Sequence, residues 1–446
     1  MKKYETYKKV KDLWIKDIPE SWRISEFKYY VDIISGYAFK STDYSEKIGF
    51  PIIRIGDIYK NVNVQAAKKA NPKNIKELDR FIIKKGDLLL AMTGATIGKN
   101  TIFNSDDLAY VNQRVGLLRA KENLSQNFLK YYIDTDFFEE FIRLECAGAA
   151  QENISSSDIS ELKICIPTLK EQTQIAKYLD HKTQIIDALI DKKEELIKKL
   201  QAQRQAIINE AVTKGLNKNA PLKDSGIEWL GKINTQWVIK RIKHTTYVKG
   251  RIGWQGLRSE DFREVGPYLV TGTDFIKGRI KWETCHRVDE DRYDIDPKIQ
   301  LKEDDVLITK DGTIGKIAIV KGKPQKVTLN TGVFVTRPLK NDYLQDYFYW
   351  LLTSEVFTHF IDFNKSGATI QHLYQNVFNE FSFALPVNLK EQKEIIDYLD
   401  EKTRKMDLLL EKVKNQIKKL KSFRQSIISE AVTGKIDVRD WQPPKK

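Results

Sequence analysis

The stretch that decides the fold is KEQTQIAKYLDHKTQIIDALIDKKEELIKKLQAQRQAIINEAVT, which occupies residues 170–213. It returns at residues 390–433, where 24 of the 44 aligned positions are identical. Repetition inside a chain sets its architecture, because each copy belongs to one structural unit. The sequence of 446 residues therefore consists of two tandem modules.

Both copies have the pattern of a long amphipathic helix. In steps of three and four residues, six of ten positions in the first copy and seven of ten in the second are apolar, and neither copy contains Pro or Gly. Pro167 and Pro386 precede the copies, and Gly215 and Gly434 follow them, as expected at helix ends. At about 1.5 Å per residue, each helix would be about 65 Å long.

The apolar positions would form a seam that must be buried. We predict antiparallel pairing of the two copies within one chain, and homodimerisation through the same seam is the alternative. Four polar positions interrupt the seam, either to fix its register or as lysines whose stems lie along apolar surface: Lys182, Lys193, Lys402 and Gln416. The apolar positions are Leu179, Ile186, Leu189, Leu196, Leu200 and Ile207 in the first copy, and Leu399, Met406, Leu409, Val413, Leu420, Phe423 and Ile427 in the second.

The rest of each module repeats less closely but in the same order. Trp14, Ile18 and Trp22 match Trp229, Ile233 and Trp237, and later landmarks pair Asn112 with Asn330, Gly148 and Gln151 with Gly367 and Gln371, and Pro167 with Pro386. Alternating and β-branched runs predict strands at residues 50–55, 87–92, 115–118, 306–309, 316–320 and 333–335. Amphipathic helices are predicted at residues 127–143 and 343–361.

Composition favours a polyanionic partner. The formal net charge is +14, and residues 237–281 contain ten Lys and Arg against four Asp and Glu. Two glycine-bearing turns, residues 93–99 and 311–316, join consecutive predicted strands and carry a lysine. Their amides and lysines could hold a phosphate, and a plain hairpin turn is the equal alternative.

Several classes of function are excluded. Three scattered cysteines and five scattered histidines predict neither a disulfide framework nor a metal site. The glycine turns lack the spacing of a nucleotide-binding P-loop. The sequence also has neither a Gly-rich methyl-donor site nor the Asn/Asp-Pro-Pro-aromatic active site of an amino-methyltransferase. No signal peptide or membrane span is recognisable, so a cytoplasmic protein without catalytic activity or bound cofactor is expected.

Polar and basic residues of the globular parts are the candidates for DNA contact. Arg, Gln and Asn can read base edges, and Lys, Thr and amides can hold phosphates. The candidates are Arg54, Lys60, Asn61, Lys68, Lys69, Arg80, Thr96, Lys99, Asn100, Asn112, Gln113, Arg114, Gln151, Arg251, Trp254, Gln255, Arg258, Thr271, Thr273, Lys277, Arg279, Lys281, Lys310, Thr313, Lys316, Asn330 and Gln371.

A second set of candidates lies on the repeated helices. These residues recur although an apolar seam alone would not require them, which suggests two like surfaces for two copies of one partner. They are Glu171, Gln172, Arg204, Gln205, Glu210, Glu391, Gln392, Arg424, Gln425 and Glu430.

In the order of its motifs the chain resembles the specificity subunit of type I DNA restriction and modification systems. The resemblance covers nearly the whole chain and depends on the Trp14 to Trp22 opening, the Ser-Gly-Tyr-Ala-Phe-Lys segment at residues 35–40, the Gly-Asp-Leu-Leu run at residues 86–89, and Pro167 with Glu171 and Gln172. The second half departs from it where Asn234 replaces Pro19 and where the turn at Asp311 is one residue shorter.

The resemblance implies an α+β fold: two tandem, mixed α/β target recognition domains separated by two long helices, which form an antiparallel coiled coil with a pseudo-two-fold internal repeat. The expected boundaries are 1–13 for an N-terminal tail, 14–169 for recognition domain 1, 170–216 for the central helix, 217–389 for recognition domain 2, 390–436 for the distal helix and 437–446 for a C-terminal tail.

The family also implies partners. Each recognition domain would bind one half of a bipartite, asymmetric site on double-stranded DNA, and the helices would set the spacing. Two modification subunits that bind S-adenosylmethionine would dock on the helices, and restriction subunits that use ATP and Mg would join them. The chain itself would bind no metal or cofactor, and no base-reading residue carries over from the family.

Two alternatives belong to other classes. A stand-alone methyltransferase or nuclease with appended recognition domains would need a catalytic region, for which the sequence has no motif. A coiled-coil adaptor without a DNA role would be expected to have balanced charge throughout, which the basic stretch at residues 237–281 contradicts.

Overall fold

The chain forms two compact units in the computed structural model, which describes residues 2–12, 15–45, 49–58, 62–70, 78–147, 153–251, 259–365 and 372–444. Unit 1 comprises residues 1–193 and 415–446, and unit 2 comprises residues 194–414. Each long helix therefore contributes one part to unit 1 and the other part to unit 2.

Unit 1 is a mixed α and β structure. Its helices are α1 (Gln126–Ile133), α2 (Asp136–Glu145), α3 (Ser156–Glu161) and the first part of α4 (Leu169–Lys214). Its strands are β1 (Tyr7–Lys9), β2 (Asp17–Pro19), β3 (Arg23–Glu26), β4 (Val31–Ser35), β5 (Tyr44–Ser45), β6 (Phe50–Ile53), β7 (Lys69–Ala70), β8 (Ile82–Ile83), β9 (Leu88–Ala91), β10 (Asn100–Ile102), β11 (Ala109–Val111), β12 (Val115–Ala120) and β13 (Lys163–Ile166).

Among the described residues of unit 1, two sheets dominate. One has the strand order β10-β9-β12-β4, and the other has the order β5-β7-β6-β11-β8. β9 and β12 are buried on both faces, because helices pack on one face and the core beneath the second sheet covers the other. Strands β11 and β12 are consecutive but belong to different sheets, so the residues between them cross from one sheet to the other.

Unit 2 repeats this plan with extensions. Its helices are α5 (Ile242–Thr245), α6 (Glu290–Asp294), α7 (Gln345–Leu352), α8 (Glu355–Lys365), α9 (Gln375–Asn379) and the first part of α10 (Leu389–Val432). Its strands are β14 (Leu222–Asp224), β15 (Lys232–Asn234), β16 (Val238–Arg241), β17 (Thr246–Gly250), β18 (Arg263–Val270), β19 (Phe275–Ile276), β20 (Arg279–Ile280), β21 (His286–Arg287), β22 (Val306–Thr309), β23 (Ile317–Ile319), β24 (Val327–Leu329), β25 (Val333–Pro338) and β26 (Ser382–Leu385).

The larger sheets of unit 2, counted over the described residues, have the orders β17-β25-β22-β23-β20-β19 and β21-β18-β24. The chain again changes sheet between two consecutive strands, here β24 and β25. The six predicted strands are confirmed as β6, β9, β12, β22, β23 and β25. The boundaries of β22 are as predicted, and those of the other five differ by up to three residues.

The two long helices run antiparallel within each unit. In unit 1 Arg424 donates to Asp187 at 3.0 Å and Lys193 donates to Gln416 at 2.8 Å, so the residue number falls along α10 as it rises along α4. In unit 2 Arg204 donates to Asp407 at 3.0 Å, which continues the same order: a higher number on α4 faces a lower number on α10. The predicted helices and their antiparallel pairing are confirmed.

The buried stripe differs from the predicted seam. Leu189, Leu196, Leu409 and Phe423 are at least 40% exposed, whereas the seam prediction required them to be buried. Ile190, Leu410 and Ile417 are buried instead. A strict heptad drifts by about 20° per repeat against an α-helix of 3.6 residues per turn, so over six heptads the pattern selects neighbouring positions.

The two predicted amphipathic helices are each broken in two. The segment at 127–143 is α1 and α2, and the segment at 343–361 is α7 and α8. Thr135 caps α2 by accepting a hydrogen bond from Phe138, and Thr353 and Ser354 donate to carbonyls at the end of α7. Such hydroxyls compete with the helical hydrogen bonds, while the apolar periodicity continues because both helices pack on one core.

Candidate nucleic-acid interface

An ion pair on a buried aspartate joins two interior strands of the main sheet in each unit, β9 with β12 and β22 with β25. Arg119 donates to both carboxylate oxygens of Asp87 at 2.8 and 2.7 Å, and Arg337 donates to those of Asp305 at 2.7 and 2.6 Å. Burial raises the pKa of Asp305, and the hydrogen bonds from Arg337 act in the opposite direction. The strands that lead to the candidate loops, β9 and β22, therefore start from the same anchor.

Three loops meet at one edge of unit 1. They are the residues after β6, the crossing between β11 and β12, and the turn at residues 93–99. The Asn112 amide donates to the Ile53 carbonyl at 3.0 Å, and the Met92 amide donates to the Arg114 carbonyl at 3.0 Å. The Ile154 amide donates to the Met92 carbonyl at 3.0 Å, so the segment that begins at residue 153 also contacts these loops. We call the three loops loop cluster 1.

Unit 2 joins the corresponding loops with the corresponding bonds. The Asn330 amide donates to the Val270 carbonyl at 3.0 Å, and the Lys310 amide donates to the Gly332 carbonyl at 2.9 Å. The Leu373 amide donates to the Lys310 carbonyl at 2.7 Å. We call these residues loop cluster 2: the residues after β18, the crossing between β24 and β25, and the turn at 311–316.

The side chains of the two clusters differ. In cluster 1 Lys99, Gln113 and Arg114 are exposed, and Arg54 is half-buried with its guanidinium 3.4 Å from Asp57. Cluster 2 has Thr271 and Gly332 where cluster 1 has Arg54 and Arg114. Its exposed or half-buried polar side chains include Lys310, Thr313, Lys316, Asn330 and His372, of which His372 contacts Asp311.

The amides that close the glycine turns donate within the chain, as in a plain hairpin turn, and a phosphate contact at these turns stays a prediction. In cluster 1 the amides of Ile97, Gly98 and Lys99 donate to carbonyls of the turn and its strand. In cluster 2 Gly315 donates to the Thr309 carbonyl and the Lys316 amide donates to the Thr309 hydroxyl. The lysine side chains, Lys99 and Lys316, remain exposed.

Some candidates are buried or bond within their unit. Arg251 is 2% exposed and donates to the Leu329 carbonyl and the Thr328 hydroxyl, so its prediction as a surface DNA contact is wrong for this conformation. Burial lowers the pKa of Arg251. Asn112 is 8% exposed, and its backbone joins the loops while its side chain bonds to Tyr44. Asn100 hydrogen bonds to Asp134 beneath α1.

Other candidates are exposed on neighbouring elements. Lys277 lies in the tight turn between β19 and β20. Arg279 begins β20, where it pairs with Ile276 and with Ile319, and Lys281 follows the strand. Lys68 and Lys69 flank or begin β7, and Arg80 lies over the Phe81 ring. The candidates outside the described residues are Lys60, Asn61, Gln151, Trp254, Gln255, Arg258 and Gln371, as are Trp14, Gly148 and Gly367.

The Glu-Gln pair of each repeat fastens its helix to the globular part. Gln172 accepts from the Ser125 amide at 2.6 Å and donates to the carbonyls of Asn123 and Pro167. Gln392 makes the same bonds with Leu344, Asp342 and Pro386, and both glutamines are 0% exposed. Glu171 and Glu391 accept from the indoles of Trp22 and Trp237 at 3.3 and 2.9 Å.

The Arg-Gln pair of each repeat also acts inside the chain. Besides the Arg204–Asp407 and Arg424–Asp187 bridges, Gln205 donates to the Thr353 carbonyl and Gln425 donates to the Asp134 carbonyl. Both carbonyls lie at the break between the paired helices of their unit. Glu210 is exposed, and Glu430 is half-buried and accepts from Ser426.

Two features of the helices were not predicted from the sequence. Asp180 and Asp400 hold the globular parts by accepting from the Tyr131 hydroxyl at 2.6 Å and from the Trp350 indole at 2.9 Å. Large apolar side chains remain exposed on the helices: Ile185, Leu189 and Phe423 in unit 1, and Leu196, Leu408 and Leu409 in unit 2. The seam pattern could have predicted these exposed side chains, because it contains more apolar residues than a contact between two helices can bury.

Within the part of the chain that the structure describes, no group of three or more His, Cys, Asp or Glu side chains is placed to hold a metal ion. None of the described helices is long and apolar enough to cross a membrane.

Comparison with known proteins agrees with this architecture. The family model of the type I restriction modification DNA specificity domain matches residues 19–199 and 254–419. The putative MjaX specificity subunit of Methanocaldococcus jannaschii is 26% identical over 98% of both chains, and the MjaVIII specificity subunit of that organism is 23% identical over 95% of both. A solved structure from work on the assembly and conformational transition of the type I R-M system shares the fold, with a TM-score of 0.70, 17% identity and coverage of 94% of this chain and 99% of that one. The chain therefore belongs to the type I restriction-modification specificity subunit family, and its role is DNA recognition rather than catalysis.

Proposed function

We propose that loop clusters 1 and 2 each bind one half of a bipartite, asymmetric DNA site, while α4 and α10 set the distance between the halves. The observation that carries this proposal is the contrast inside each unit. The anchors and the bonds that join the loops are the same in both units, whereas the side chains that the loops present differ. Two loop clusters with equivalent backbone bonds and different exposed side chains are suited to bind two different half-sites.

The chemistry of each cluster fits a DNA half-site. Arg114 and Gln113 of cluster 1 can each make two hydrogen bonds to one base edge, and Lys99 can contact phosphate. Cluster 2 offers Asn330 and Thr313 for bases, with Lys310 and Lys316 for phosphate. The exposed Lys68, Arg80, Lys277, Arg279 and Lys281 would extend the contact along the backbone, which fits the net charge of +14.

The helices are the proposed docking surface for two modification subunits. Exposed Leu189 and Leu409 occupy equivalent positions of the two repeats, each beside further exposed apolar side chains. Glu210 is exposed and belongs to this proposed surface, whereas the other nine candidates bond within the chain. S-adenosylmethionine would bind to the modification subunits, and ATP and Mg would bind to restriction subunits that join them.

Adenine-methylation mapping tests the recognition proposal. Cells that express this chain with its cognate modification subunit should methylate a bipartite motif that disappears without the chain. Substitution Arg114→Ala should relax one half of the motif and leave the other unchanged, because Arg114 lies in unit 1 alone. Lys84→Ala, an exposed change at the opposite end of β9, is the matched control. A short continuous motif, or relaxation of both halves, would contradict the proposal.

The spacing role has its own test. Four residues inserted after Leu196 and four after Gln416, which are equivalent positions, would lengthen the helix pair by about 6 Å. At about 3.4 Å per base pair, the gap in the methylated motif should grow by about two base pairs with both halves unchanged. Altered halves at the original spacing would refute the spacing role.

A further inference from the structure

The segment that follows α10, residues 437–444, lies on one face of α4. Gln174 donates to the Trp441 carbonyl at 2.5 Å. The Trp441 indole packs edge-on against Tyr178, with ring centroids 5.2 Å apart, and against His181 at 5.2 Å. We call residues 437–444 the cover segment and the residues beneath it, Gln174, Tyr178, His181 and Lys182, the closed face.

The cover segment is a built part of unit 1. The Asp437 amide donates to the Lys2 carbonyl at 2.9 Å, and the Asp437 carboxylate accepts from Nε and Nη2 of Arg439 at 3.0 and 2.8 Å. Arg439 lies 4.8 Å from the centre of the Tyr4 ring, and Val438 is buried in the core. These contacts fix the start of the segment and place Trp441 over Tyr178.

The equivalent face of α10 is open. Its residues are Glu394, Tyr398, Glu401 and Lys402, and Lys402 lies 5.7 Å over the Tyr398 ring just as Lys182 lies 5.8 Å over Tyr178. Among the described residues, Glu394, Glu401 and Lys402 are exposed, whereas Gln174, His181 and Lys182 are half-buried. Tyr398 is half-buried, while Tyr178 is 5% exposed. The two repeats therefore have the same tyrosine and lysine pair. The cover segment lies over the pair on α4 and leaves the pair on α10 open.

The differences between the faces specify the occupant of the open one. On the closed face Gln174 donates to a carbonyl, and on the open face Glu394 can only accept while it is ionised. Glu401, which stands at the position of His181, pairs with Lys405. A carbonyl like that of Trp441 would find no donor at Glu394, so an aromatic ring beside Tyr398, with a Lys or Arg that reaches Glu394, suits the open face.

We propose that the open face of α10 binds a segment of the modification subunit with an aromatic side chain flanked by basic residues, and that the cover segment keeps the equivalent face of α4 closed. This inference rests on the proposed docking of two modification subunits on the helices. Its consequence is that the two docking surfaces differ: the first copy binds at α10, and the second binds at α4 more weakly because it must displace Trp441.

Removal of Trp441 tests the closed face. Binding of the cognate modification subunit to the whole chain, followed by native mass spectrometry across a concentration series, should give two separate steps for the unaltered protein. Trp441→Ala should strengthen the weaker step about three- to tenfold, which is the range expected for the loss of one or two aromatic contacts. Gln442→Ala, an exposed neighbour, should change neither step.

Charge reversal tests the open face. The double substitution Glu394→Lys, Glu401→Lys should weaken the tighter step at least about tenfold and leave the weaker one unchanged. Glu228→Lys with Asp294→Lys makes the same change of charge at exposed positions of unit 2 outside the long helices, and should have little effect. Thermal unfolding of each variant shows whether the fold is intact.

The outcomes separate the two proposals. Two equal binding steps for the unaltered chain, or a Trp441→Ala variant that folds and binds as the unaltered chain does, would overturn the difference between the faces while leaving two-copy docking in place. Binding of the modification subunit that is unchanged by Leu189→Glu with Leu409→Glu, the equivalent exposed apolar positions of the two helices, would overturn helix docking itself. Retention of the tighter step after charge reversal would overturn the proposed basic, aromatic occupant.

Discussion

Unit 1 and unit 2 are held together by the same contacts and differ in what their loops present. Gln172 and Gln392 make the same three hydrogen bonds, and the bridges from Arg424 and Arg204 join the two helices in the same way. The loops that these contacts support have Arg114 in unit 1 and Gly332 in unit 2 at the equivalent position. Repetition in this chain therefore marks contacts inside the chain, and variation marks the exposed loop edge.

The largest expected loss comes from the buried ion pair that anchors the sheet. Arg337→Met leaves the carboxylate of Asp305, whose side chain is 3% exposed, without its partner, and should lower the free energy of unfolding by about 3 kcal/mol. Arg119→Met should cost less, because the Asp87 side chain is 8% exposed. Guanidinium unfolding of each variant measures the two losses. Arg263→Met, in an exposed pair with Asp289, is the control, and an equal loss there would contradict the prediction.

The buried glutamines come next. Gln172→Ala leaves the Ser125 amide and the carbonyls of Asn123 and Pro167 without their partner, and should cost about 2 kcal/mol. Gln392→Ala should cost about the same in unit 2, and hydrogen exchange should show each loss in its own unit. Gln201→Ala, exposed on α4, is the matched control. Unequal losses for the two glutamines would break the equivalence of the units.

The helix bridges should have a smaller effect. Asp187→Arg alone places two arginines together in unit 1 and should cost about 1 kcal/mol, and addition of Arg424→Asp should restore most of it. The same exchange at Asp407 and Arg204 should behave alike in unit 2. Thermal unfolding of the four single and two double variants gives the two coupling energies. A double variant no more stable than its single variants would show that these bridges do not matter.

The smallest expected effect is a pH dependence of stability that arises in unit 1 and has no counterpart in unit 2. Asp134 in unit 1 stands where unit 2 has Thr353, and burial raises its pKa. A raised pKa means that ionisation of Asp134 destabilises the folded state, so Asp134→Asn should be more stable than the unaltered chain at pH 7. The gain should disappear as the pH falls through the raised pKa towards 3.8, the ordinary pKa of an aspartate. Thermal unfolding between pH 4 and pH 7 measures it, and a gain that persists at pH 4 would contradict this cause.

The sequence predicted the long helices well, because 44 residues of one periodicity without Pro or Gly have few alternatives. It did not predict which apolar residues are buried, since that depends on the phase of two helices against each other. It assigned Gln172 and Arg424 to an external partner because a single sequence cannot distinguish a repeated surface from a repeated internal contact. Arg251 illustrates the same limit: its charge suggested a DNA contact, and its burial follows from β17 and β24, which are distant in sequence.

Unit 1 is assembled from both ends of the sequence, and this affects the order of folding during synthesis. Its core includes Ile427, Ile428 and Val432 of α10 together with Trp22 and Phe128. Unit 2, at residues 194–414, is complete before those residues leave the ribosome. The module that is translated first is therefore the last to finish its core. Until the α10 side chains join it, the core of unit 1 is incomplete, so we expect unit 1 to finish folding after unit 2.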